Sequence, residues 1–303
     1  MASTDSSLLA RIFSPGPTRD NHPASGATGK AGRNLPQAIT TAVVLIVAVA
    51  VPLFTSLSAF VGVIGFVCLV GIWELAGAFA RMGITLTVTP LYVGAIGMIT
   101  CAWWLGSEGT LFALYITVFV CAAWRLLDRR QESRMSDVVS STFTAVYVPF
   151  LASFVVLMLA AWRDPWVFVV FELMVIANDT GGWAAGVLFG KHPMAPALSP
   201  KKSWEGFAGS AATAVGVGCV GLWLLGAAWW WGIVAGVSIA FVGTMGDLTE
   251  SLIKRESGLK DMSHILPGHG GVLDRVDALL MSAPVAYFIF AWALPGISWE
   301  SSH

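Results

Sequence analysis

The chain has 303 residues, 56% hydrophobic and 12% charged, with a formal net charge of −1 and a mean hydropathy of +0.75. Soluble globules carry about 25% charged residues, so half that share, with 14 Trp and long apolar runs, excludes an ordinary soluble fold and indicates a polytopic membrane protein. The net charge names no partner, and no nucleic acid is expected as one; the placement of the charges along the chain is more informative.

Residues 1–36, rich in Gly, Pro, Ser and Thr, lack the continuous apolar core of a signal peptide and read as a disordered tail, with a short interfacial helix at 6–13 as the alternative. Beyond it, a window of roughly 20 apolar residues per crossing marks about nine helices. They fall near 38–56, 59–79, 85–105, 109–126, 139–162, 166–188, 206–226, 228–246 and 273–294. The first two are parted only by "SLS", polar residues interrupt the sixth, and "GDLTES" closes the eighth. The expected fold is therefore all-α and polytopic. By polarity the chain divides into the tail, a plain apolar region at 37–165 and a polar, catalytic-looking region at 166–303. Cys68, Cys101, Cys121 and Cys219 each stand alone in apolar sequence and read as small buried hydrophobes.

With the N-terminus placed inside and the spans alternating, Arg163 alone of the 17 Lys and Arg residues falls outside. Basic residues favour the cytoplasmic side, so the count and the orientation support one another: N-terminus in, C-terminus out. Among the first five spans Glu74 is the main polar exception, and an acid in a membrane helix is costly enough to be a site candidate. It lies near the inner end of its span, so pairing with Arg81 is the competing account.

Three later segments share the cytoplasmic face in this topology. The first, "NDTGGWAAGVLFGKHP", places Asn178 and Asp179 in the inner half of the sixth span, followed by glycines and Lys191. Close helix packing explains the glycines but not Asp179; Glu172 is a weaker candidate. The second, "LSPKKSWEGF", offers Lys201 and Lys202 with hydroxyls from Ser199 and Ser203, an interfacial Trp204, and Glu205 as a cap or lysine partner. It suits an anion-binding loop, although two lysines alone equally suit a topological signal. The third runs from Asp247 to Asp277. Lys254, Arg255, Lys260 and Asp261 precede "PGHGG", where Pro267, Gly268, Gly270 and Gly271 bracket His269. Glycines let backbone amides approach a phosphate closely. Asp274 and Asp277 lie three apart at the start of the ninth helix and share a face. With Asp247 they form a plausible oxygen ligand set for Mg²⁺, which favours one or two carboxylates plus substrate phosphates. Acids for a metal and bases for phosphates, at headgroup depth, suit phosphoryl or nucleotidyl transfer to a lipid phosphate.

The stretch Ser251–Asp277, "SLIKRESGLKDMSHILPGHGGVLDRVD", closely resembles the signature of the phosphatidate cytidylyltransferase family, with every element at the expected spacing. "NDTGGWAAGVLFGKH" and "SPKKSWEGF" resemble further family segments in the usual order, so the likeness covers about residues 170–290. Trp183 departs from the pattern, where a smaller aromatic is expected. The resemblance implies an integral enzyme of a bacterial-type plasma membrane whose site faces the cytoplasm. It would convert CTP and phosphatidate to CDP-diacylglycerol and pyrophosphate. The resemblance also implies Mg²⁺, a second cation such as K⁺, contact with membrane lipid, and a homodimer. Metal-binding acids carry over to Asp247, Asp274 and Asp277. Phosphate-handling bases carry over to Lys201, Lys202, Lys254, Arg255, Lys260, His269 and Arg275. Of these, Lys254, Arg255 and His269 join the acids as catalytic candidates. The substrate-binding set adds Asn178, Asp179, Lys191, Ser199, Asp261, Gly270 and Gly271.

Three other classes compete with this reading. A secondary transporter fits the Gly-rich spans with intramembrane acids, but the chain shows no internal halves. A regulatory protein binding anionic lipid through basic loops leaves the three aspartates unexplained. A CDP-alcohol phosphotransferase calls for an Asp-Gly, Ala-Arg pattern that is absent here.

Overall fold

The computed structural model describes residues 35–128, 135–266 and 268–294. The expected tail up to residue 34, the helix at 6–13, the basic residues Arg129, Arg130 and Arg134, and Pro267 lie outside them. Among the described residues the helices are α1 (Leu35–Thr55), α2 (Leu57–Arg81), α3 (Val88–Trp104), α4 (Gly106–Leu127), α5 (Met135–Trp162), α6 (Pro165–Phe189), α7 (Trp204–Leu224), α8 (Trp231–Ser257) and α9 (Leu273–Ala293). Seven are long and apolar enough to cross a membrane; the described part of α1, Ile39–Thr55, and α3 are shorter apolar helices. The fold is all-α apart from one hairpin, β1 (Pro193–Ala195) against β2 (Ser199–Ser203), paired antiparallel.

Local chemistry explains where these helices begin and bend. Ser56 parts α1 from α2 by accepting the Ala59 N–H at its side-chain oxygen. The third helix starts at Val88 rather than near 85, and side chains of α5 accept from the segment ahead of it. Thr85 N–H donates to Asp137 Oδ1 at 3.0 Å and Thr87 N–H to Ser141 Oγ at 3.1 Å. Within α5 the turn Val146–Phe150 is a π-helical turn containing Pro149, whose missing N–H and bulky ring an α-helical ladder would not accommodate. Asp164 caps α6, accepting from Trp166 N at 2.9 Å, with Pro165 at the first helical position. The polar residues near 178 stand within an unbroken α6, and α8 runs beyond the apolar stretch that ends at Asp247, to Ser257.

Compactness divides the chain differently from polarity. Among the described residues, one unit joins those up to Cys101 with those of Ser107–Phe150 and Ile253–Arg275; the other joins Ala102–Gly106, Leu151–Leu252 and those from Val276 on. The first unit buries Cys68, Ile72, Leu75, Leu91 and Met98, and stacks Phe143 on Tyr147 with ring centroids 5.1 Å apart. The second buries Phe171, Met174, Leu222, Ile239 and Phe290. In its seam of α6 against α7, small residues let backbones approach. A Cβ on Gly209 would stand 2.7 Å from the Gly181 carbonyl oxygen, and one on Gly206 would stand 3.0 Å from that of Gly182. Lipid tails are as apolar as leucine, so such seams rest on van der Waals contact and interhelical hydrogen bonds. Here Ser210 Oγ donates to the Asn178 carbonyl and Thr213 Oγ1 to that of Ala177, each at 2.7 Å.

Candidate active site

In the second unit that seam opens into a cavity of about 260 Å³. Its walls include Asn178 and Asp179 of α6, Lys201, Lys202 and Ser203 of β2, Ser210 of α7, and Thr244 and Asp247 of α8. The hairpin brings the lysines there. Ser203 ends β2 and caps α7 by accepting the Gly206 N–H at 3.1 Å. Glu205 then fastens the start of the hairpin, accepting the N–H groups of Lys191 and His192 at 3.1 and 3.2 Å and meeting His192 Nδ1 at 2.6 Å. Its partners are therefore His192 and two amides, rather than a lysine side chain.

Within the cavity wall Lys202 Nζ pairs with Asp247 Oδ2, both side chains remaining about a quarter to a third exposed. Asn178 is 2% exposed. Its Nδ2 donates to Asp179 Oδ1 at 2.9 Å, while its Oδ1 is buried without a protein partner. An unpartnered buried carbonyl oxygen is costly and marks a place for a donor or a cation. Asn178, Asp179 and Asp247 thus supply oxygen donors to the walls of one cavity, the donor type that Mg²⁺ prefers. Lys191 and Ser199, expected at the site, are not among the wall residues. Thr244 and Ser210 are, and no sequence pattern had singled them out.

The first unit holds most of the signature segment, and here the carboxylates are engaged differently. The Asp274 side chain is 4% exposed. Its Oδ2 accepts from Met262 N at 2.9 Å and Gly271 N at 2.7 Å, and its Oδ1 accepts from Lys254 Nζ at 2.9 Å. The amides expected to cradle a phosphate also have internal acceptors. His269 N and Gly270 N donate to the Leu266 carbonyl oxygen at 2.9 and 3.1 Å, and Val272 N and Leu273 N donate to Glu74. The glycines serve this closure: Gly268 and Gly270 adopt φ of 78° and 84°. A Cβ on Gly271 would lie 2.6 Å from Glu74 Oε1 and 3.0 Å from Asp274 Oδ2. His269 Nδ1 is buried without a partner, whereas Arg255, Lys260 and Arg275 are exposed and Asp261 lies beside Gly270. Glu74 does not take up Arg81, whose Nε donates instead to the Ser257 carbonyl at 2.9 Å.

Asp277 belongs to the second unit, is 8% exposed, and its carbonyl oxygen abuts Gly246 of α8. Among the described residues no three His, Cys, Asp or Glu side chains group closely enough to hold an ion unaided. A cation held by one or two carboxylates and completed by substrate phosphates needs no such group. Chemically, the cavity offers oxygen ligands beside ammonium groups, and the signature cluster offers a part-buried Lys–Asp pair among exposed cations. Both are the equipment of polyphosphate handling.

A family model described as the cytidylyltransferase family matches residues 36–293. The chain is 37% identical over 289 residues to a phosphatidate cytidylyltransferase of Mycobacterium tuberculosis strain H37Rv, covering 88% of each chain. It is 33% identical to one of Mycobacterium leprae, covering 95% of this chain and 98% of that one. The phosphatidate cytidylyltransferase of Haemophilus influenzae is 32% identical, with 84% and 99% covered.

Proposed function

The chain belongs to the cytidylyltransferase family, and from that premise we infer that it is a phosphatidate cytidylyltransferase, forming CDP-diacylglycerol and pyrophosphate from CTP and phosphatidate in phospholipid synthesis. A phosphate oxygen of phosphatidate attacks the α-phosphorus of CTP. The new P–O bond forms as the bond to the bridging oxygen breaks, and pyrophosphate leaves. The attacking oxygen is already anionic near neutral pH, so no strong base is required. The barrier lies in bringing two polyanions together, which positioning and charge neutralisation lower.

The observation that best supports this reading is the cavity itself, whose walls bring Asn178, Asp179 and Asp247 together with Lys201 and Lys202. Lys201 and Lys202 hold phosphate oxygens, Lys202 exchanging Asp247 for substrate. Asp247, with Asp179 and Asn178, is the set best placed to hold Mg²⁺, which when bound neutralises charge on the reacting phosphates. Asp274 and Asp277 remain further acidic candidates for holding a cation, Asp274 only once Lys254 turns to a phosphate. Lys254, Arg255, Lys260, His269 and Arg275 attract and orient the phosphate groups, and K⁺ is the second cation the resemblance implies.

The chain sits in a bacterial-type plasma membrane with nine crossings, N-terminus inside, the site facing the cytoplasm, and it works as a homodimer. Support for the orientation is the placement of the basic residues, Arg163 alone falling outside; the homodimer rests on the family resemblance. The decisive assay combines purified protein, labelled CTP, phosphatidate and Mg²⁺. A lipid-soluble cytidine product is expected, and label that stays in the aqueous phase refutes the reading.

A further inference from the structure

Glu74 has no part in the chemistry above, yet it is 0% exposed in the midst of an apolar helix. A buried carboxylate is costly unless hydrogen-bonded, and the bonds it makes all run to the signature segment. Ser263 Oγ donates to its Oε1 at 2.5 Å, Val272 N to Oε1 at 2.8 Å, and Leu273 N to Oε2 at 2.7 Å. Leu273 opens α9, where amides lack intrahelical acceptors. Asp274 takes the amide just before these two, that of Gly271. Three successive amides are thus divided between two carboxylates, with Gly271 between them and no room for a side chain.

We propose that Glu74 is a positioning residue for cytidylyl transfer: it clamps Ser263 and the start of α9, and so fixes Asp274 and the lysine paired with it. The proposal rests on the function inferred above. Glu74 touches neither substrate nor metal; it acts through Asp274, and through the Lys254–Asp274 pair on the placement of Lys254. Glu74→Gln preserves shape but sets an NH₂ against an N–H donor, leaving either Val272 N or Leu273 N without an acceptor. Ser263→Ala removes one donor and leaves both amide bonds intact.

The test uses the purified full chain with two readouts: steady-state kinetics, and backbone hydrogen exchange without substrate. For Glu74→Gln we expect kcat to fall about 10–100-fold with KM for CTP and phosphatidate within about threefold, since small misplacements of reacting groups act mainly on turnover. Exchange should rise across residues 262–273 while α3 and α4 keep the parent's protection. Ser263→Ala should lower kcat by about three- to tenfold, with faster exchange confined to the segment around 263. The proposal is overturned if Glu74→Gln keeps kcat within twofold, if exchange at 262–273 is unchanged, or if it rises equally over the whole chain, which would make Glu74 a general packing residue. Should Glu74→Gln not fold, Ser263→Ala decides: parent-like kcat and exchange refute the clamp. Should the parent give no cytidine lipid, the inferred function falls, while the exchange readout still tests the clamp.

Discussion

Asp247 and Asp274 are the same side chain in unlike surroundings, and the difference separates a chemical role from an architectural one. Asp247 is about a third exposed and makes one ion pair in a cavity wall. Replacing it with Asn removes charge from the cavity and little else, so turnover should fall at least about 100-fold while the melting temperature stays within about 2 °C. Asp274 accepts two amides and a lysine. In Asp274→Asn the NH₂ stands either at the Oδ2 position, facing both amides, or at the Oδ1 position, facing the Lys254 ammonium, and the charge opposite that lysine is lost. That variant should lose turnover and also roughly 2–3 kcal/mol of stability, read as earlier unfolding in a thermal scan. Equal thermal behaviour of the two variants would contradict this division. The sequence marked both residues, but not their difference, because the donors meeting Asp274 are assembled by a fold in the loop. Pattern likewise explained the glycines of "PGHGG" as anion-binding, whereas Gly271 is required by the two carboxylates flanking it.

At the scale of elements, period and length located the helices well, because an apolar run either suffices to cross a bilayer or does not. Their ends were less legible. The expected end of the eighth span at Asp247 marked where apolar residues stop, but backbone hydrogen bonding does not stop there. Helix α8 runs on until Gly258, at φ 69°, turns the chain. Leu259 N then donates to Lys254 O at 2.8 Å and Gly258 N to Arg255 O at 3.3 Å, with Lys254 and Arg255 suitably placed for the helix dipole. That Gly following two basic residues was a readable stop signal. The seam between α6 and α7 gives an element-level prediction with an internal control. Gly209→Leu forces a side chain against the Gly181 backbone and should cost about 1–3 kcal/mol with loss of turnover, as the cavity walls part. On the same helix a Cβ at Gly216 would meet nothing within 4 Å, so Gly216→Leu should stay within about 0.5 kcal/mol and keep activity. Thermal unfolding and initial rates of both variants check the pair.

For the whole molecule, the arrangement of charges predicts a C-terminus on the outer face. A reporter active only outside the cytoplasm, fused after His303, should be active, and one active only inside should be silent; the reverse pattern sinks the topology. Composition alone determined that this chain lives in a bilayer, since 12% charge leaves too little polar surface for water. Its spaced Lys, Arg, Asp and Gly residues determined the chemistry by matching a dense family signature. Only the tertiary structure decided which donor each carboxylate serves, that Asn178 keeps a buried oxygen without a partner, and that Glu74 holds the start of α9. A hydrogen bond near 3 Å joining residues 198 positions apart leaves no trace in composition or period. It exists because packing sets two helices and a loop at one distance, and a single sequence records the residues but not that distance.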